Sequence, residues 1–573
     1  MQRSLERAPR RIAALRDRPD SPPPEPHMTD RPAHRPRVPC VAYFCMEYGL
    51  HESFPIYSGG LGILAGDYIK AARDLALPMV AVGLLWERGY CVQRIGADGR
   101  PYEEYPAFDT GFLADTGVRV RVRVRGKEVP VRVWVTDRHG HVPLYLLEPL
   151  LREDRWITHR LYEAGTDTRI AQEMLLGIGG VRALGWLGFD VHTYHFNEGH
   201  AAFAGIEQIA ELMEAGLQFP DAWARVRAQT VFTTHTPVRA GNEEHAIADL
   251  RRMGACLQLS GFEMRAIGGD PFSMTVAGLR LSRAANAVSQ LHGETARAMW
   301  KDVKGACPIG AITNGVHAPT WQAPEIRAAG DDPARLWDAH ARLKRLLLSE
   351  VQHRHGVALD PAALLVGFAR RAASYKRGDL VLRDEERLEA LLGQHRVRLL
   401  FAGKAHPDDT HGHDMVARLV RGARAHPGQV LFLENYDMGL GRLLTRGCDV
   451  WLNNPVRPLE ASGTSGMKAA MNGVLNVSIL DGWWPEGCED GVNGFAVGRG
   501  EPGDDARDLD DLYDTLEQRV LPAWADRAKW SKMMLASVRM AESRFSAERM
   551  IREYFERLYD YPGALAAAGA AAS

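Results

Sequence analysis

An α/β protein of two domains is the fold class this sequence predicts, and three observations carry it. Between residues 364 and 480, five short apolar runs alternate with helix-spaced stretches: Leu364–Ala369, Val397–Ala402, Val430–Glu434, Asp449–Asn453 and Val474–Leu480. Alternation of this kind implies a parallel sheet covered by helices on both faces. Near the N-terminus, a strand-like Val41–Met46, a Gly-rich loop at Tyr57–Gly62, a helix-spaced Ile63–Leu75 and a second apolar run, Pro78–Leu85, spell a βαβ unit. A chain of 573 residues is long enough for more than one domain with ample core.

The elements follow in order. Residues 1–38 are rich in Arg and Pro and lack apolar periodicity, which predicts a disordered extension, with Met28 a candidate start. They contain no apolar core of a secretory signal, and Glu6, Asp17 and Asp20 interrupt any transit peptide. The first domain is expected over 39–333. Within it, residues 89–150 turn to alternation, as in Val118–Val124, which predicts inserted antiparallel hairpins whose arginines form a solvated face. A long helix from about Ala334 to His355 joins the halves, and the second domain runs over 334–545. The last helix, 546–562, starts at the N-cap candidate Ser546 and carries Met550, Ile551, Tyr554, Phe555, Leu558 and Tyr559 on one face. Residues 563–573 are small and low in complexity, and are expected to be a disordered tail.

Bulk properties exclude several classes of function. Lys plus Arg number 70 against 72 Asp plus Glu, a formal charge of -2, so no global field draws nucleic acid or a membrane surface. The longest apolar run, Leu75–Trp86, is too short to span a bilayer and contains Pro78. Seven scattered cysteines with no CxxC pair read as free thiols of a reducing, cytoplasmic compartment.

Ligands of such folds bind beyond the carboxyl ends of the strands. There the sequence places Arg370-Arg371, Gly403-Lys404, Asn435-Tyr436 and Asn454. Gly59-Gly60-Leu61-Gly62 lets a backbone approach an anion at a helix start. Arg370, Arg371, Lys376 and Arg377 offer cations for two phosphates, or else form a solvated basic turn. Glu460-Ala461-Ser462-Gly463-Thr464-Ser465-Gly466-Met467-Lys468 sets a lysine after a run of turn-forming residues. On spacing alone, that lysine fits a cofactor anchor and a surface side chain equally well. His235, in Thr233–Pro237, reads as a sugar contact or a structural histidine. The runs His192–His200 and His406–Asp414 look metal-like, but neither has a standard ligand spacing, and no metal is expected.

The segment Glu460–Lys468 resembles the pyridoxal-phosphate lysine motif of the α-glucan (glycogen/maltodextrin) phosphorylases, most closely the short bacterial branch. Further motifs resemble that family in the same order from about Val41 to about Gly494. The resemblance implies two Rossmann-like domains facing a cleft, the GT-B glycosyltransferase architecture, with the last helix packed back on the first domain. It implies a cytoplasmic enzyme that transfers the terminal glucosyl unit of an α-1,4-glucan (glycogen, starch or maltooligosaccharide) to inorganic phosphate, giving α-glucose 1-phosphate. Pyridoxal 5'-phosphate would be held by Lys468, with Arg370, Tyr436, Gly463, Thr464 and Gly60 around it. Arg371 and Lys376 would act with Lys468 in catalysis. Gly59, Gly62, Asn197, Glu198, His235, Glu460, Ser462 and Gly463 would contact substrate. Ser58, Ile63 and Arg370 stand where the family commonly has Asn, Arg and Lys. A homodimer is one candidate assembly. The alternatives are a nucleotide-sugar glucosyltransferase of the glycogen synthase kind and a catalytically silent glucan-binding paralogue.

Overall fold

The computed structural model describes residues 40–238 and 241–566. The expected extension at 1–38 lies outside them, as do residues 567–573 of the expected tail. Residues 562–566 form a helical turn, so 563–566 are not frayed as expected. Ala564 is buried against the core of the first half, which gives this small-residue stretch an anchor.

Two sheets organise the chain. The first has nine strands. Seven of them, ending with Leu144–Pro149, pair in parallel around the central strand Cys40–Phe44. Hairpin Ala114–Val124/Lys127–Thr136 then extends the edge in antiparallel fashion. Its valines at 120, 122 and 124 face the core, while the arginines between them face solvent. Residues 89–150 are thus not hairpins alone, because Leu144–Pro149 joins the parallel sheet directly. A separate hairpin, Val92–Ile95/Pro101–Glu104, precedes it. The second sheet has six parallel strands, in the order Val430–Leu433, Val397–Ala402, Leu364–Ala369, Val450–Asn453, Leu475–Ile479 and Gly494–Val497. These are two Rossmann-like α/β halves facing a cleft.

Local chemistry sets the elements between them. Helix Pro333–His355 starts at Asp332, whose carboxylate accepts from the Ala334 and Arg335 amides, has Pro333 in its first turn and stops at Gly356 with φ 68°. Buried Lys344 and His340 on this helix bond the Asp449 carboxylate at 2.6 and 2.9 Å, which fastens the helix to the second sheet. Ser546 caps helix Ala547–Glu553 by accepting from the Arg549 amide. Met550, Ile551, Tyr554, Phe555, Leu558 and Tyr559 of that final segment belong to the core of the first sheet. All seven cysteines are unpaired. Among the described residues no helix is long and apolar enough to cross a membrane.

Candidate functional site

A cavity of about 770 Å³ opens where the carboxyl ends of both sheets meet. One end is cationic. Arg370 and Arg371 follow directly on strand Leu364–Ala369, and Lys376 lies in the short turn after them. Buried Arg370 and Lys376 both hold the Glu460 carboxylate, at 2.5 and 2.9 Å. Burial pushes the Glu460 carboxyl up, but the two cations outweigh it and hold it below the usual range. Asp481 fixes Glu460 in turn by accepting from its amide at 2.9 Å, and burial raises the Asp481 carboxyl to about 7. Arg371 lines the cavity, is exposed, and forms no hydrogen bond or ion pair among the described residues.

Lys468 is not a surface side chain. It sits in the last turn of helix Thr464–Ala470, only 7% exposed, and lines the cavity. Its ammonium lies 3.8 Å from the centre of the Trp321 ring. Burial lowers its pKa to about 8, against the pull of Asp67. A lysine so placed has an accessible neutral amine, the form that condenses with an aldehyde. Among the described residues, buried Arg370 Nη1 and Ser462 Oγ, of two side chains lining the same cavity, have no hydrogen-bond partner. Gly463 adopts φ 84°, so it supplies the turn into the helix that a side chain would strain. Thr464 and Tyr436 complete this wall. Unpaired donors, a cation pair and a neutral-capable lysine fit a phosphorylated aldehyde.

The Gly-rich loop forms the roof. Gly59 and Gly60 line the cavity, and a Cβ on either would point into open space. Gly62 does not reach the cavity, which corrects its reading as a substrate contact. A Cβ there would lie 2.6 Å from Glu47 Oε2 and 2.7 Å from Tyr57 Cβ, so Gly62 is needed for packing. Ile63 packs with Trp321, Met438 and Met467, an apolar position with no place for the family's arginine.

The opposite wall comes from the first sheet. His235 Nε2 is 2.7 Å from Asn197 Oδ1, and Asn197 Nδ2 donates to Cys45 Sγ at 3.2 Å. Burial drives the His235 pKa down to about 3. The imidazole is therefore neutral, with Nε2–H donating to Asn197 and Nδ1 left as an acceptor. Asn197 lies behind His235 and does not line the cavity, so its expected substrate contact becomes support of the histidine. Glu198 does line it, at φ 72°, and accepts from the His235 amide at 2.6 Å. Burial raises the Glu198 carboxyl to about 7. His195, expected along the cleft, is buried under the final helix and bonded to Tyr559 and Thr233 at 2.7 and 2.8 Å.

Of the metal-like runs, His192–His200 covers most of strand Val191–Asn197 and the short turn after it, and His406–Asp414 is a turn with a capped helix start. His406 Nδ1 accepts from the Asp408 amide, and Asp409 caps helix Thr410–Ala425. Sequence reasoning missed a charged cluster at the cavity edge. There Arg169 bonds Glu243 at 2.6 Å and His200 at 3.0 Å, and His245 bonds Glu173 at 2.8 Å. The i,i+4 spacing of Arg169 and Glu173 was its one visible signal.

Comparison with known proteins bears on this arrangement. Residues 328–486 match the family described as carbohydrate phosphorylase. The chain is 41% identical to a maltodextrin phosphorylase of Thermococcus litoralis, over 91% of this chain and 70% of that one. It is also 41% identical to a glycogen phosphorylase of Mycobacterium tuberculosis, with the same coverage. A glycogen phosphorylase of Aquifex aeolicus is 35% identical over 91% of this chain and 86% of its own.

Proposed function

The chain belongs to the carbohydrate phosphorylase family, and we propose that it moves the non-reducing terminal glucosyl unit of an α-1,4-glucan reversibly to inorganic phosphate. The product is α-glucose 1-phosphate. One observation carries this reading: a buried lysine of lowered pKa shares a single cavity with three cations and a sugar-compatible wall. Nucleotide-sugar transfer has no use for such a lysine.

Each residue has a part. Lys468 holds pyridoxal 5'-phosphate through its amine. When bound, that cofactor supplies a phosphate group able to give a proton to, and take one from, the substrate phosphate. Arg370, with Ser462 and Tyr436 beside it, binds the cofactor end. Arg371 and Lys376 take the substrate phosphate. Two phosphoryl groups in one low-dielectric cavity repel strongly, and these cations offset that repulsion. His235 accepts from a glucosyl hydroxyl through Nδ1. Glu460, already bridging Arg370 and Lys376, presents its carboxylate to the sugar. Trp321 under Lys468 keeps water from the amine. Its seven unpaired cysteines support a cytoplasmic location.

The test is direct. Purified protein is incubated with maltooligosaccharide or glycogen, with and without phosphate, and glucose 1-phosphate is measured. Release that depends on phosphate is expected. Turnover of a nucleotide sugar without phosphate dependence would overturn the reading.

A further inference from the structure

Glu47 belongs to no motif, yet it organises the roof of the cavity. It follows strand Cys40–Phe44 and is 2% exposed. Its Oε2 accepts from the backbone N–H of Ser58 at 2.5 Å and of Gly59 at 3.2 Å. Its Oε1 accepts from the Ser58 hydroxyl at 3.1 Å and the Tyr162 hydroxyl at 2.8 Å. Gly62 packs so closely that a Cβ there would meet Oε2 at 2.6 Å.

These bonds sort the amides of the loop. Those of Ser58 and Gly59 are committed to Glu47. Helix Gly60–Asp74 begins at the next residue, and its first turn closes when the Ile63 amide donates to Gly59 O at 3.1 Å. Gly60, Leu61 and Gly62 therefore have N–H groups with no intrahelical acceptor. No side chain caps this 15-residue helix. Gly59, Gly60 and Leu61 line the cavity, across from Arg371 and Lys376. A carboxylate this close to a helix start would ordinarily cap it. Here the carboxylate takes the two amides before the helix and leaves the helix start for an anion from outside. Burial raises the Glu47 carboxyl above the usual range, while the hydrogen bonds from Ser58, Gly59 and Tyr162 pull it back.

We propose that Glu47 is a positioning residue of the phosphorylase reaction. It holds the loop so that the Gly60 and Leu61 amides at the start of helix Gly60–Asp74, rather than those of Ser58 and Gly59, meet the substrate phosphate. The identity of that anion as inorganic phosphate rests on the function proposed above. Glu47 acts through the loop and touches no reacting atom.

The experiment uses the full-length, cofactor-loaded protein and two readouts: amide hydrogen exchange over residues 57–63, and separate KM values for inorganic phosphate and maltooligosaccharide. Glu47→Ala is expected to speed exchange at Ser58 and Gly59. It is expected to raise the phosphate KM about tenfold, with the glucan KM within about twofold. Glu47→Gln keeps an oxygen for the two amides and an NH₂ that both hydroxyls can accept, so it is expected to restore both readouts. Unchanged exchange in Glu47→Ala overturns the proposal. So does faster exchange with both KM values rising together, and so does a Gln variant as impaired as the Ala variant. If Glu47→Ala does not fold, Ser58→Ala and Tyr162→Phe each remove one hydroxyl partner. Both are expected to raise the phosphate KM selectively by a smaller factor, and no change in either overturns the proposal. A wild type without phosphate-dependent turnover would sink the phosphorylase reading instead, while the exchange readout would still decide what Glu47 does to the loop.

Discussion

The two ends of the cavity solve opposite electrostatic problems. At the cationic end, Arg370 and Lys376 share one carboxylate, Glu460, and Arg371 stands free, so positive charge is left over. At the wall from the first sheet, burial drives the His200 and His235 imidazoles down to about 3, so both are neutral, and Glu198 is raised to about 7. One end is built to hold anions. The other offers neutral donors and acceptors of the kind that match uncharged hydroxyls. A reaction joining a phosphate to a sugar needs both, and the contrast can be broken at named residues.

The largest effect is expected at Lys468. Lys468→Ala removes the cofactor anchor, and with it at least the roughly 10²–10⁴-fold contribution of a general acid–base group. Activity should fall to background while circular dichroism and the melting transition stay near wild type. Wild-type protein should release pyridoxal phosphate on denaturation. A fully active preparation that releases none would overturn the assignment of Lys468.

Next come the two ends taken separately. Arg371→Ala should weaken use of phosphate about tenfold or more, the cost of a lost charge-assisted contact of about 1.5–3 kcal/mol, with little change for glucan. His235→Ala should do the reverse. It removes a neutral acceptor worth about 0.5–1.5 kcal/mol and also leaves buried Asn197 Oδ1 without its donor. Its glucan kcat/KM should drop roughly tenfold, with the phosphate KM within about twofold. Equal losses for both substrates in both variants would mean that the ends are not specialised.

That the cationic end was the more legible one has a physical reason. Arg370 and Arg371 follow strand Leu364–Ala369, which is fully buried and wholly apolar, so the polarity jump marks its end. Where the reading slipped, it slipped at strand ends and at the sheet edge: Glu434, Asp449, Val474 and Leu480 fall outside their strands, and Gly494–Val497 was not read as one. The opposite wall was harder. His195 and Asn197 share a strand face, but His195 lies roughly 7 Å deeper. The distant Tyr554 and Tyr559, packed on its ring, help to close that depth off. The three glycines of 59–62 look alike in sequence, and only the contact at Gly62 separates packing from lining. Glu47 has no periodic or motif signal at all. Its role follows from a loop folding back over it from residues 58 and 59.

The smallest expected effect is that of chelation, and it tests whether the wall is neutral by design. Among the described residues, Glu173, Glu243 and His245 alone offer three ligand atoms within 4.8 Å of one another. Their charges are already answered. Arg169 bonds Glu243 at 2.6 Å and lies 3.7 Å from Glu173. Burial pulls the His245 imidazole down, but the Glu173 carboxylate more than restores it. An incoming divalent cation would have to displace the Arg169 guanidinium from a buried place. In the proposed reaction Arg370, Arg371 and Lys376 would compensate the phosphate charge without a metal. Exhaustive treatment with EDTA should therefore leave activity unchanged, and adding back metals should not raise it. Loss of activity on chelation, restored by one specific metal, would show that this cluster binds a cation despite Arg169. The contrast between a charged end and a neutral wall would then fail.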